Sequence, residues 1–280
     1  MTLAETHDIV GDFRAPVNTA SQSHGSIHDD ATASKLGFRG GTVAGSLHMD
    51  QFTPLALELY GDDFWNNGNL SFYFRKATVD REKVRAMARA GEPHARLWME
   101  DEAGNLIADA TASCRGTDEN TAVQNLMASQ DKGGAGLRIL SKAKIGDEVT
   151  GLDVTVSRES LERRLDNITE RLPVYEGEKG LLPPSMAVAL YRGSAQEKLY
   201  KTDGRAVGLF GAIELQAMGS ALRADTPYKV RAKILALSES PKTENVWYRA
   251  WAADPDTGED VHSMLMYLRY MKGSSEHYAS

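Results

Sequence analysis

The chain has a single cysteine, Cys114, among 280 residues. An intramolecular disulfide and a cysteine-based zinc site are both excluded, and no metal site is expected. In its context, ATASCRG, this cysteine reads as a buried strand residue. Apolar runs of about eighteen residues are missing, so no membrane-spanning helix is expected. The first residues, MTLAETHDIV, hold no basic segment leading into an apolar one. No secretory leader is expected, and a cytoplasmic location is the default. A basic excess is missing as well. The net charge is −7, which speaks against nucleic acid as the partner, because phosphate binding needs a basic face. A local basic pocket for a nucleotide-bearing thioester stays open. There is no Walker loop, dinucleotide fingerprint, HExxH or GxSxG.

What remains is ordinary globular material. Hydrophobic residues make up 41% and charged residues 25%, the balance of a soluble protein. The length suits two domains of ordinary size or one large one, with a substantial core.

The chain repeats itself. Lys83-Val84-Arg85-Ala86 returns as Lys229-Val230-Arg231-Ala232. ARLWMEDEAGNLIADATA, with Trp98 and Gly104, returns in form as YRAWAADPDTGEDVHSML, with Trp251 and Gly258. Each copy is a strand-like run, an acidic turn with a glycine and a second strand-like run. The segment GTVAGSLHMDQF has a counterpart in LLPPSMAVALYRG, which sets Gly45 against Ser185. Three matched features in one order point to a duplication.

Within each half the pattern predicts a strand, a helix, then alternating strands. The first helix is expected over 47–60, stopped by Gly61 and kinked or delayed by Pro54. Strands are expected over 70–78, 84–90, 95–100 and 105–115. In the second half a strand over 149–156 precedes Ser157, the expected N-cap of RESLERRLDNITERL. A second central helix over 185–199 follows Pro183 and Pro184, with strands over 207–218, 229–239, 245–252 and 262–271. Residues 130–136 read as a polar, glycine-rich connection. A long helix wrapped by antiparallel strands, present twice, predicts an α+β double hotdog. Its halves would span 1–125 and 140–280, joined by a linker over 126–139, with their sheets edge to edge. A homodimer of such chains is an open expectation.

Residues 23–54 concentrate the chemistry: SHGSIHDDATASKLGFRGGTVAGSLHMDQFTP. A glycine-rich turn opening a helix points backbone N–H groups at whatever lies in front of it. A histidine a short loop away, His28, moves protons near neutral pH. Together they suggest a site that polarises a carbonyl and transfers a proton. Asp30 is expected to cap a short helix. Asp29 either orients His28 or is solvated. His48, on the first turn of the helix, either faces the pocket or packs against the sheet. Arg39, in the turn, either holds an anionic group or is solvated. Ser46 belongs with Gly45 at the start of the helix. Gly45 fits both a tight turn and an amide donor to a developing oxyanion.

The same stretch resembles the MaoC-like hydratases and dehydratases of the hotdog fold. Their pattern runs D-x-N-P-[IL]-H-x-D, then a short helix ending in G-F, then P-I-A-H-G-M opening the central helix. Ile27-His28-Asp29-Asp30 stands at I-H-x-D, Gly37-Phe38 at the G-F, and Gly41-Thr42-Val43-Ala44-Gly45-Ser46 at P-I-A-H-G-M. The resemblance implies that His28 is an acid/base for adding or removing water across the double bond of an acyl thioester. It also implies that the Gly45 amide binds the thioester carbonyl. No cofactor is implied, though coenzyme A would carry the acyl group. Ser23 stands where the family has its catalytic aspartate, and a hydroxyl is no carboxylate base at neutral pH. Then His28 works alone or with Asp29, or a carboxylate arrives from elsewhere, or the protein binds a ligand without hydrating it. A hotdog thioesterase, another lyase and a non-catalytic acyl-binding protein are the alternatives. In the second half Glu170 and Tyr175 fall on the two catalytic positions of the same frame. That echo reads as a chance alignment.

Overall fold

The alternating segments of both halves become strands of one antiparallel sheet in the computed structural model, which describes residues 8–130, 133–134, 136–178 and 180–279. The first half supplies β1 (Ile9–Val10), β2 (Gly68–Phe74), β3 (Val84–Arg89), β4 (Ala95–Asp101) and β5 (Leu106–Cys114). The second supplies β6 (Glu148–Thr155), β7 (Gly208–Ala217), β8 (Pro227–Glu239), β9 (Thr243–Ala253) and β10 (Asp260–Met271). The order across the sheet is β1-β3-β4-β5-β2-β7-β10-β9-β8-β6. Read inward from its two ends, this is one topology twice. The repeated Lys-Val-Arg-Ala segments fall on β3 and β8, and Trp98 and Trp251 on β4 and β9. The halves meet where β2 pairs with β7, from Asn69 opposite Gln216 to Tyr73 opposite Ala212. This is the double hotdog arrangement.

The two central helices pack on one face of the sheet. α1 is Asp30–Lys35. The first central helix begins as α2 (Gly45–Met49), tightens to a 3-10 turn at Asp50–Phe52 and resumes as α3 (Thr53–Tyr60). Pro54 accounts for the interruption. It has no N–H for the Asp50 carbonyl, and proline fits the first turn of a new helical segment. Gly61, at φ 66°, ends α3 as expected. A short α4 (Phe64–Asn67) leads into β2. The described residues contain no helix long and apolar enough to cross a membrane. Phe52, Phe72, Leu97, Tyr191, Tyr248 and Met264 are all buried in one hydrophobic cluster that draws on both halves. Cys114, at the end of β5, is only half-buried.

The connection between halves departs from the expected linker. A helix, α5 (Ala122–Ser129), straddles its expected start, because Thr121 caps it by accepting from the Gln124 amide. Asp131, Lys132 and Ala135 of the glycine-rich piece, like residues 1–7, lie outside the described residues. α6 (Arg158–Leu165) is capped by Ser157 as expected but ends well before residue 172. The second central helix is α7 (Pro184–Tyr191), followed by a π turn at Arg192–Gln196 and a short α8 (Glu197–Leu199).

Past α5 the chain is gripped by Glu244 of β9. Its carboxylate accepts from the amides of Arg138, Ile139 and Leu140 at 2.8, 3.0 and 2.9 Å, and from the Tyr278 hydroxyl at 2.6 Å. Removing it strands buried amide donors. Glu244→Ala is expected to lower unfolding free energy by about 2–4 kcal/mol. The check is a denaturant titration with an unchanged m value. A loss below about 0.5 kcal/mol, the size of a neutral surface change, would mean that the grip contributes little.

Candidate active site

Local chemistry builds the loop that carries His28. Asp29 has extended backbone and caps α1, its carboxylate accepting from the Ala31 amide at 3.1 Å and the Thr32 hydroxyl at 2.6 Å. The cap is therefore Asp29 and not Asp30. Asp30 turns back to the glycine-rich segment, where Oδ1 accepts from the Gly41 amide at 2.6 Å. Gly37, at φ 84°, ends α1 with the Phe38 amide bonded to the Ala33 carbonyl and its own amide to that of Ser34. That double bond pattern is a Schellman motif, and it is why Gly-Phe stands there. The returning chain passes so close that a Cβ on Gly41 would lie 2.3 Å from the His28 carbonyl oxygen.

This close approach holds His28 against the segment that leads into the central helix. The Thr42 amide donates to the Ile27 carbonyl at 2.8 Å. The His28 Nδ1 lies 2.7 Å from the Thr42 carbonyl oxygen. A carbonyl only accepts, so Nδ1 carries the proton and Nε2 of the neutral ring is the nitrogen with a lone pair. Two residues beyond Thr42, Ala44 is the N-cap of α2 and offers no side-chain bond to the open amides of that end. Gly45 is the first residue of the helix, and the Phe74 ring lies 3.0–3.2 Å from where its Cβ would stand. No larger residue fits there without moving the ring. Phe74 in turn leans on Phe210 of the second half, ring centroids 6.4 Å apart.

The other expected site residues are elsewhere or otherwise engaged. Ser23 is exposed in a turn, its carbonyl accepting from the amide and hydroxyl of Ser26. The Asp29 carboxylate is spent on the cap and on the Gly25 amide, so it does not orient His28. Arg39 is exposed and bonded to both Glu82 oxygens at 2.8 and 2.6 Å, which removes it as a free anion holder. Ser46 is buried on the first turn of α2. His48 is buried, with Nε2 2.7 Å from the Thr78 hydroxyl. Burial pulls its pKa down to about 4, so it is neutral near pH 7 and packs under the helix.

The echo in the second half is a structural counterpart and not a chance alignment. The Leu181 amide donates to the Val174 carbonyl as Thr42 does to Ile27, and Leu182 bonds Leu222 as Val43 bonds Thr78. Tyr175 thus occupies the place of His28, and Pro184, first residue of α7, that of Gly45. The second end is disarmed twice. Proline has no N–H to offer. The next amide, Ser185, donates at 2.8 Å to Oδ1 of Asp50, which reaches across from the first central helix. The Tyr175 hydroxyl is buried without a partner among the described residues, and burial pushes its pKa up. Glu170 pairs with Arg14. A cavity of about 60 Å³, lined in part by Thr53, Trp65, Pro184 and His262, is what remains there. Asp50 was not singled out by sequence, although a carboxylate on an apolar helix stripe is the signal that marks it.

No family profile and no curated protein matches the chain by sequence. Solved structures match by shape. A Chloroflexus aurantiacus protein described as a MaoC domain dehydratase is 14% identical, with TM-score 0.62, over 96% of this chain and 95% of its own. A conserved hypothetical Mycobacterium tuberculosis protein with a double hotdog fold is 10% identical, with TM-score 0.60, over 96% and 97%. A MaoC-like dehydratase is 14% identical, with TM-score 0.54, over 95% and 98%. The chain is a double hotdog protein, and it shares that fold with MaoC-like dehydratases.

Asp50 gives the asymmetry a measurable signature. Burial pushes its carboxyl up to about 7, partly offset by the Ser185 bond. The folded state then binds this proton more tightly than the unfolded chain, whose aspartate titrates near 4. The stability from Asp50 is complete below about pH 4 and is lost as pH rises toward about 7. Asp50→Asn keeps an acceptor for Ser185 and removes the titration. Its melting temperature relative to the parent is expected to rise by about 2–4 °C or more between pH 5 and pH 8, as a 1 kcal/mol gain implies. A constant difference across that range would show that Asp50 titrates normally.

Proposed function

We propose that this protein is a hydratase or dehydratase of enoyl and 3-hydroxyacyl thioesters that works from its first half. The observation that carries the reading is the His28 Nδ1 bond to Thr42 at 2.7 Å, made in the loop that opens α2 at Gly45. The bond fixes the tautomer, and the loop brings the base to the amide end of a helix.

In the hydration direction, Nε2 of His28 takes a proton from water as its oxygen attacks Cβ of the enoyl group. The C=C electron pair shifts toward the thioester, and negative charge gathers on its oxygen. The Gly45 amide, at the positive end of α2, stabilises that oxyanion. The imidazolium then returns its proton to Cα. Water has been split across the double bond, and His28 ends as it began. With Ser23 in place of an aspartate, one histidine serves as base and then acid. Dehydration is the reverse. Coenzyme A is the carrier assigned to the acyl group, and no redox cofactor is required by the step.

A panel of enoyl thioesters, followed by loss of the conjugated double bond and by release of free thiol, tests this reading. Double-bond loss without thiol is expected, and thiol release alone would make the protein a thioesterase. His28→Ala should lower turnover by about 10²–10⁴-fold, the range for a positioned acid/base, with the fold intact. Turnover within a few-fold of the parent would remove His28 from the chemistry.

A further inference from the structure

We infer that Arg192, from the second half, binds an anionic group of the substrate held at the first-half site. The inference rests on the function proposed above. It starts from the π turn at Arg192–Gln196, an uncommon geometry with Gly193 inside it. The turn is buttressed from below: Gln196 Oε1 accepts from the Arg192 Nε–H at 3.0 Å and from the Tyr248 hydroxyl at 3.3 Å. With Nε held, the guanidinium lies over Phe210, its Cζ 5.0 Å from the ring centroid. Phe210 leans on Phe74, and Phe74 touches Gly45. A continuous aromatic floor therefore runs from the amide assigned to the thioester oxygen to this guanidinium.

Arg192 is exposed, and no carboxylate stands within ion-pair distance of it among the described residues. Several arginines elsewhere in the chain are ion-paired: Arg39 with Glu82, Arg85 with Glu100, Arg171 with Glu176 and Arg231 with Asp260. A guanidinium pinned at Nε, backed by a ring and open at both Nη groups presents the fork that binds a carboxylate or phosphate in two bonds. Two parts of a thioester substrate carry such a group. One is a carboxylate at the far end of the acyl chain, and the other is a phosphate of the carrier.

Three substrates separate the sources. They are an uncharged enoyl group on N-acetylcysteamine, the same acyl group on coenzyme A, and an enoyl group with a terminal carboxylate on N-acetylcysteamine. Arg192→Gln is expected to lower kcat/KM by about 10–100-fold for one anionic substrate and to leave the uncharged one within about two-fold. A loss confined to coenzyme A assigns the phosphate, and one confined to the carboxylate assigns the acyl terminus. An equal loss on all three, or none on any, overturns the inference. Calorimetric binding of the saturated, unreactive analogues is measured in parallel. Anion-dependent binding that Arg192→Gln abolishes supports the subsite even if hydration is absent. Turnover without such dependence supports the reaction and rejects the subsite.

Discussion

The pairing of β2 with β7 is the contact on which the rest of this molecule depends. Either half alone would expose an unpaired strand edge, a template for association. Joining the edges removes both and sets the relation of the two central helices. The outer face of the seam carries polar residues at Asn69, Ser71, Glu214 and Gln216. Burial raises the Glu214 pKa, offset by bonds from Thr121 and Gln124 of the α5 end and by Arg249 at 3.7 Å. The Ser71 hydroxyl accepts from the Val123 amide at 3.0 Å. The connecting helix is thus bolted over the joint between halves.

On the inner face the same seam brings residues of the two halves into contact. It lets Asp50 of the first central helix reach the amide end of the second, and it sets Phe210 beside Phe74. Neither contact is possible within a single half. The fold therefore closes one helix end with a carboxylate while beside the other it packs Phe74 of the same half against Phe210 from across the joint.

Much of this was legible in the sequence because duplication leaves local marks. The Lys-Val-Arg-Ala pair, the two tryptophans and the acidic glycine turns fall on matched strands. Pro54 interrupts its helix because a missing N–H is a local fact. The roles of the polar residues were harder to read, because they are set by partners far along the chain. Arg39 meets Glu82 and His48 meets Thr78, at separations no local pattern reveals. Asp29 and Asp30 are both good helix caps, and Gly41, arriving from the return loop, decides between them. Tyr175 looked like a chance match because the described residues between it and Pro184 hold no counterpart of α1, and only the paired hydrogen bonds of Thr42 and Leu181 restore the frame.

Pro184 opposite Gly45 has a meaning beyond its missing N–H. In an assembly of two identical subunits, every substitution appears at both sites at once. A proline that silences one helix end would silence the other, and a carboxylate placed to plug one would plug both. Joining the copies in one polypeptide lifts that symmetry. Each half becomes free to answer a separate demand: the first keeps a histidine and an open amide, and the second trades them for a buried tyrosine and an amide held by Asp50. The molecule has the outline of a dimer and the inheritance of a single chain, whose two ends evolve independently.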